Sequence, residues 1–176
     1  PASRTGGDRQ RFGSMANRSS TLALAYYLTG REEYAEHAAR LIRVWFLDPA
    51  TRMNPHLEYG QAIPGRTTGR GIGIIDTVTL MNVVDAVGLL GGSKAWTARD
   101  QEGLVAWFKA YLEWLLTSSH GRSERNTRNN HAVWYDAQVA CYALFVGRDE
   151  LARDILRAVP ERHIYDKIEP DGRQPQ

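Results

Sequence analysis

In Asn129-Asn130-His131-Ala132-Val133-Trp134-Tyr135-Asp136-Ala137-Gln138, two amides and an imidazole stand where a basic, polar stretch gives way to an apolar-periodic one. If a helix starts here, His131, Tyr135, Gln138 and Tyr142 share one face at i, i+4, i+7 and i+11. Amphipathic helices usually present an apolar stripe or a charged one. A stripe of neutral hydrogen-bonding and proton-transferring groups suggests a site. An imidazole titrates near neutrality and can remove a proton at ordinary pH. A neighbouring amide such as Asn130 can hydrogen-bond a carboxylate, acidify the adjacent carbon-bound proton and stabilise the enolate-like state that follows. A phenol could then protonate the departing oxygen. Base, carboxylate neutraliser and phenolic acid are the parts that β-elimination from a uronic acid requires. The competing reading of a histidine at a helix start is a capping or structural hydrogen bond.

The elements that must position this segment read as helices, with no convincing strand pattern. The first runs from about Phe12 to Thr29 and stops at Gly30, and the second from Glu32 to Leu47, ended by Asp48-Pro49. A third spans roughly Ile75 to Leu90, stopping at Gly91-Gly92. The fourth opens on Thr97-Ala98-Arg99-Asp100, a capping box, and carries Leu104, Trp107, Phe108, Tyr111 and Leu115. The fifth holds His131 and stops at Gly147; the sixth, Glu150 to Val159, ends before Pro160. Gly30-Arg31-Glu32-Glu33-Tyr34-Ala35 is echoed by Gly147-Arg148-Asp149-Glu150-Leu151-Ala152, each following an apolar helix end. Both read as the tight turn of an αα-hairpin, and repeated hairpins that bury each other's faces suggest a toroid or solenoid.

Two long connections interrupt the helices. Residues 48–73 contain three prolines with Arg52, His56, Arg66 and Arg70, and residues 117–129 contain His120, Arg122, Arg125 and Arg128. Loops this long inside a domain are usually functional or disordered, and the aromatic, amide and arginine content of the first argues for function. Arginine forks suit carboxylates and amides suit sugar hydroxyls, so an acidic carbohydrate fits both loops better than an apolar ligand. Solvated surface arginines are the plainer alternative.

The 176 residues fit a single domain, 1–176, with 43% hydrophobic and 24% charged residues, an ordinary globular composition. A net charge of +2 is too small to point to nucleic acid. No run reads as long and apolar enough to span a membrane, so no membrane partner is expected. The single cysteine, Cys141, has no internal disulfide partner. The five histidines lack metal-ligand spacing, and Gly69-Arg70-Gly71-Ile72-Gly73 follows no strand, so neither a metal nor a nucleotide cofactor is expected. Trp45, Trp96, Trp107 and Trp114 read as packing residues, whereas Tyr59 and Trp134 flank the proposed site.

Several motifs, in order, resemble a known family. Asn129-Asn130-His131 followed by Trp134-Tyr135-Asp136-Ala137-Gln138 is similar to the alginate lyase domain family of polysaccharide lyases. So are the run from Asn54-Pro55-His56 through Tyr59-Gly60-Gln61 to Pro64-Gly65, and Gly69-Arg70-Gly71-Ile72-Gly73-Ile74-Ile75-Asp76. Trp45-Phe46-Leu47-Asp48-Pro49-Ala50-Thr51-Arg52-Met53 and Asp171-Gly172-Arg173-Gln174-Pro175 extend the likeness, which covers the chain from about Tyr26 onward.

The resemblance implies an all-α, (α/α) toroid and a periplasmic or secreted bacterial protein. It also implies metal-independent β-elimination of a polyuronate such as alginate. Asn130 would engage the carboxylate at the scission subsite and His131 would act as base on C5–H, leaving a C4–C5 double bond on the product. Candidate substrate-binding residues are Asn129, Trp134 and Gln138 on the helix, and His56, Tyr59, Gln61, Arg66 and Arg70 on the first loop. In better-known members an arginine and the tyrosine that protonates the leaving group come from a later helix. This chain ends where that part would follow. An incomplete toroid, weakly active or inactive alone, is therefore expected, with Tyr135 the best acid within the chain. Two rival readings remain at this point: a toroidal glycoside hydrolase, for which Glu58, Asp76 and Asp136 are the available carboxyls, and a polyuronate-binding protein without turnover.

Overall fold

A computed structural model describes residues 7–165 and 167–174; Pro175 of the C-terminal motif lies outside them. The described residues form seven α-helices: α1 (Asp8–Thr29), α2 (Glu32–Ile42), α3 (Leu80–Leu89), α4 (Ala98–Thr117), α5 (Ser119–Arg125), α6 (Asn130–Phe145) and α7 (Asp149–Val159). Among them no strand occurs; the one β feature is an isolated bridge, Ile63 to Thr67. The all-α class and the helical hairpins expected from the sequence are therefore present.

The echoed turns behave alike. Gly30 and Gly147 take left-handed backbone, φ 67° and 77°, which a residue with a Cβ adopts only under strain. In each case acidic residues open the next helix, Glu32 and Glu33 in α2, Asp149 and Glu150 in α7, where they meet the positive end of the helix dipole. α1 packs on α2 and α6 on α7, as αα-hairpins require.

The helices group into two compact units. The first comprises Pro1–Pro55 and Asp76–Phe108. Here α1 packs against both α2 and α3, and Phe46 meets Trp107 edge-on with ring centroids 4.8 Å apart. The Trp107 indole N–H donates to Met53 O at 2.8 Å, consistent with a packing role. α2 runs on into a π-helical turn, Arg43–Leu47, and ends at Asp48, whose extended backbone suits the proline that follows. The capping box of α4 forms as expected: Thr97 N donates to Asp100 Oδ2 at 2.9 Å and Asp100 N to Thr97 Oγ1 at 3.2 Å. Arg43 Nε and Nη2 then fork onto the same carboxylate at 2.8 and 2.6 Å, tying α2 to the start of α4.

The second unit comprises His56–Ile75 and Lys109–Gln176, and it contains every candidate residue of the lyase reading. Three features differ from expectation. The stretch read as a loop over 117–129 holds α5, a helix too short to show an apolar period. Helical backbone continues past Pro160 as a π-helical turn, Pro160–Tyr165; proline lacks the N–H of one helical bond but fits helical φ, and its φ of −56° does so. Finally, Gly71–Leu89, 19 residues, is long and apolar enough by composition to cross a membrane, contrary to the sequence reading. It is not one continuous α-helix: a 3₁₀ segment, Gly71–Thr77, precedes α3, and Asp76 within it pairs with Arg9 at 3.1 Å.

The Arg43 fork, opposed by desolvation and helped by Thr97, holds the Asp100 carboxyl well below the usual carboxylate range. Asp100→Ala should lower stability near neutral pH by about 2 kcal/mol in urea denaturation, because cap and ion pair are lost together. A depressed folded-state pKa contributes stability fully above the unfolded value of about 4 and loses it as the pH falls below that. The gap between wild type and variant should therefore narrow on acidification from about pH 4 downward.

Candidate active site

α5 is built by local devices. The Ser118 hydroxyl caps it, accepting from Gly121 N at 2.9 Å. A Cβ at Gly121 would lie 1.8 Å from the Leu115 carbonyl oxygen, so only glycine lets α5 fold back onto the last turns of α4. This docking brings Glu124, on the next turn, to 1% exposure. Thr127 Oγ1 donates to Glu124 O at 2.9 Å and closes the C-terminal end of α5.

α6 then starts at Asn130. Asn129 is its N-cap, with extended backbone and a side-chain oxygen that accepts from His131 N at 3.0 Å. The amide of Asn129 is thus used in starting the helix, whereas Asn130, the first helical residue, is exposed. The His131 side chain keeps 20% exposure, and its Nδ1 stands 2.6 Å from Glu124 Oε1. One edge of the imidazole is anchored to a buried carboxylate.

Beyond the first turn the polar stripe faces inward. Tyr135 is 2% exposed, and its hydroxyl donates to Leu115 O at 2.8 Å. Burial pushes its phenol up to about 12. Tyr135, expected as the best acid within the chain, thus lies one turn past His131 with its side chain packed in the core and its proton donated to a backbone carbonyl. Gln138, expected to bind substrate, is fully buried; its amide nitrogen lies 3.3 Å from Trp134 O and 3.5 Å from Ile74 O. Its oxygen accepts from the Tyr142 hydroxyl at 3.2 Å, so these buried polar groups find their partners inside the core. Trp134 is exposed on α6.

The first loop is held by its own candidates. Arg70 Nε and Nη2 donate at 3.0 Å each to the backbone and side-chain oxygens of Gln61. Gln61 itself takes left-handed backbone, φ 49°, a conformation that such a clamp sustains. Arg66 is exposed at the turn closed by the Ile63–Thr67 bridge. His56 accepts weakly from Glu58 N at 3.4 Å and sits edge-on to Tyr59, which is 72% exposed. Two groups tie this loop to α4 and α5: Trp114 Nε1 donates to Glu58 Oε1 at 2.8 Å, and His120 Nε2 lies 3.3 Å from Glu58 O.

These contacts also weigh against an opposed pair of hydrolytic carboxyls. Glu58 is engaged by Trp114, Asp76 by Arg9, and Asp136 accepts from His163 Nε2 at 2.7 Å and pairs with Arg162 at 3.1 Å. Asp136 holds the π-helical turn after α7 against α6. Among the described residues no group of three or more His, Cys, Asp or Glu side chains is arranged to hold a metal ion.

The family model for alginate lyases matches residues 1–176. The chain belongs to the alginate lyase family. A crystal structure of an alginate lyase from Bacteroides ovatus matches at 44% identity and a TM-score of 0.93, over 96% of this chain. That match puts the fold in the (α/α) toroid class expected from the family resemblance. The aligned part is 45% of the Bacteroides chain, so this chain spans less than half the length of that relative. No curated protein matches.

Within this family framework the residue that sequence reasoning missed is Glu124. Its one legible signal was Ser118, a cap residue before a polar run; nothing in that run shows that a glutamate inside it is buried. If Tyr135 is a packing residue, Tyr135→Phe should cost about 1 kcal/mol in urea denaturation, the loss of one donor to a buried carbonyl. Subtracting its phenolate absorbance titration from that of wild type should isolate a component ionising near pH 12.

Proposed function

We propose that this chain carries the proton-abstracting part of a polysaccharide lyase that cleaves a polyuronate such as alginate by β-elimination. The observation that supports this best is the start of α6, where the exposed Asn130 amide adjoins a partly exposed imidazole whose far edge is anchored. The motif lies inside the region shared with the alginate lyase family.

In this reading Asn130 hydrogen-bonds the uronate carboxylate, which acidifies C5–H and stabilises the enolate-like state. The N-terminus of α6 adds favourable potential for that negative charge. His131 takes the C5 proton, the C4–O4 bond breaks, a C4–C5 double bond forms, and O4 is protonated by a donor other than Tyr135. Arg66 and Tyr59, exposed on the loop, are suited to neighbouring sugar units. A polymer of this kind is encountered outside the cytoplasm, which favours a periplasmic or secreted protein.

The chain and a C-terminally extended version should be incubated with mannuronate-, guluronate- and glucuronate-rich polymers. A lyase generates unsaturated ends that absorb in the ultraviolet, a hydrolase only new reducing ends, and a binder neither. His131→Ala and Asn130→Ala should each lower the lyase rate by about 100-fold or more, the usual worth of a positioned base or charge-stabilising donor. Chelators should leave the rate unchanged. Full activity in His131→Ala would remove the assigned base.

A further inference from the structure

We propose that Glu124 is a positioning residue for this reaction: its buried carboxylate keeps the proton of His131 on Nδ1 and so presents Nε2 to the substrate as the base. The inference rests on His131 being the base, and it adds a residue and a tautomer to that reading.

The geometry carries it. The Glu124 side chain is 1% exposed and its Oε1 lies 2.6 Å from His131 Nδ1, while the imidazole retains 20% exposure. An ionised carboxylate can only accept hydrogen bonds, and a neutral imidazole has one N–H and one lone pair. With Oε1 accepting, the N–H is on Nδ1 and the lone pair on Nε2. A free imidazole would divide itself between two tautomers, only one of which offers Nε2 as a base. Glu124 removes that division.

Proton abstraction also creates charge. When Nε2 takes the C5 proton the ring becomes an imidazolium, and the carboxylate already beside it forms an ion pair without rearrangement. That matters at this location, because the positive end of α6 opposes a cation on its first turn. The carboxylate cannot easily swing away: Ser118 caps α5, Gly121 docks it on Leu115, and Thr127 closes its end.

A purely structural role, in which Glu124 only ties α5 to α6, makes different predictions. Glu124→Gln preserves shape and can keep a hydrogen bond to the ring, but it accepts or donates with no charge. In protein with lyase activity Glu124→Gln should lower kcat by about 100-fold with KM nearly unchanged, and Glu124→Asp should recover part of that loss. Nitrogen NMR of the His131 ring, assigned by comparison with His131→Ala, should show in wild type a protonated Nδ1 and an unprotonated Nε2. In Glu124→Gln it should show a mixture or the opposite tautomer. The tautomer readout uses the wild-type chain and does not depend on a variant folding.

Two results would overturn the proposal while leaving the base assignment intact. One is a wild-type ring with its proton on Nε2. The other is a folded Glu124→Gln variant with wild-type kcat, beside an inactive His131→Ala. Retained activity in His131→Ala overturns the base assignment itself, and the role of Glu124 with it.

Discussion

A carboxylate removed from water must find donors within the protein, since desolvating it alone costs several kcal/mol. Glu124 is in this position, and His131 Nδ1 at 2.6 Å is its partner across the gap to α6. Much else at the site follows from the need to bring the two together. α5 must fold back on α4, which requires the bare Cα of Gly121 and the Ser118 cap. α6 must begin one residue before the histidine, which the Asn129 side chain secures by capping it. With the imidazole anchored at one edge, Asn130 is left exposed beside it on the first turn.

Elsewhere in the chain the same economy appears: charged groups act as ties between elements. Asp100 closes its own capping box and receives the Arg43 fork. Asp136 takes His163 and Arg162, fastening the turn beyond Pro160 to α6. Gln61 and Arg70, which look in sequence like ligands for a sugar acid, hold the loop backbone in a conformation it would not keep alone. Arg66 and Tyr59 on the same loop are exposed.

The interior of α6 shows why a polar stripe is ambiguous. His131, Tyr135, Gln138 and Tyr142 do lie along one side of the helix, as their spacing indicates. Only the first reaches solvent. Tyr135 and Gln138 donate to nearby carbonyls and Tyr142 donates to Gln138, so these hydrogen bonds are spent on burial. Spacing fixes which residues share a face; whether that face looks to water or to protein depends on the helices packed against it.

By itself the sequence determined most of the helices, both hairpin turns, the capping box at Thr97 and the placing of Asn130 and His131 at a helix start. These rest on interactions within a few residues, where periodicity, caps and glycines act locally. It also carried the family, through motifs spread along the chain. Only the tertiary structure decided that Tyr135 and Gln138 turn inward, that Arg70 clamps Gln61, and that Glu124 stands behind His131. Each of those depends on contacts between segments the sequence reading could not pair. α5, with seven residues and no apolar period, gave no local sign that one of its charges would be buried.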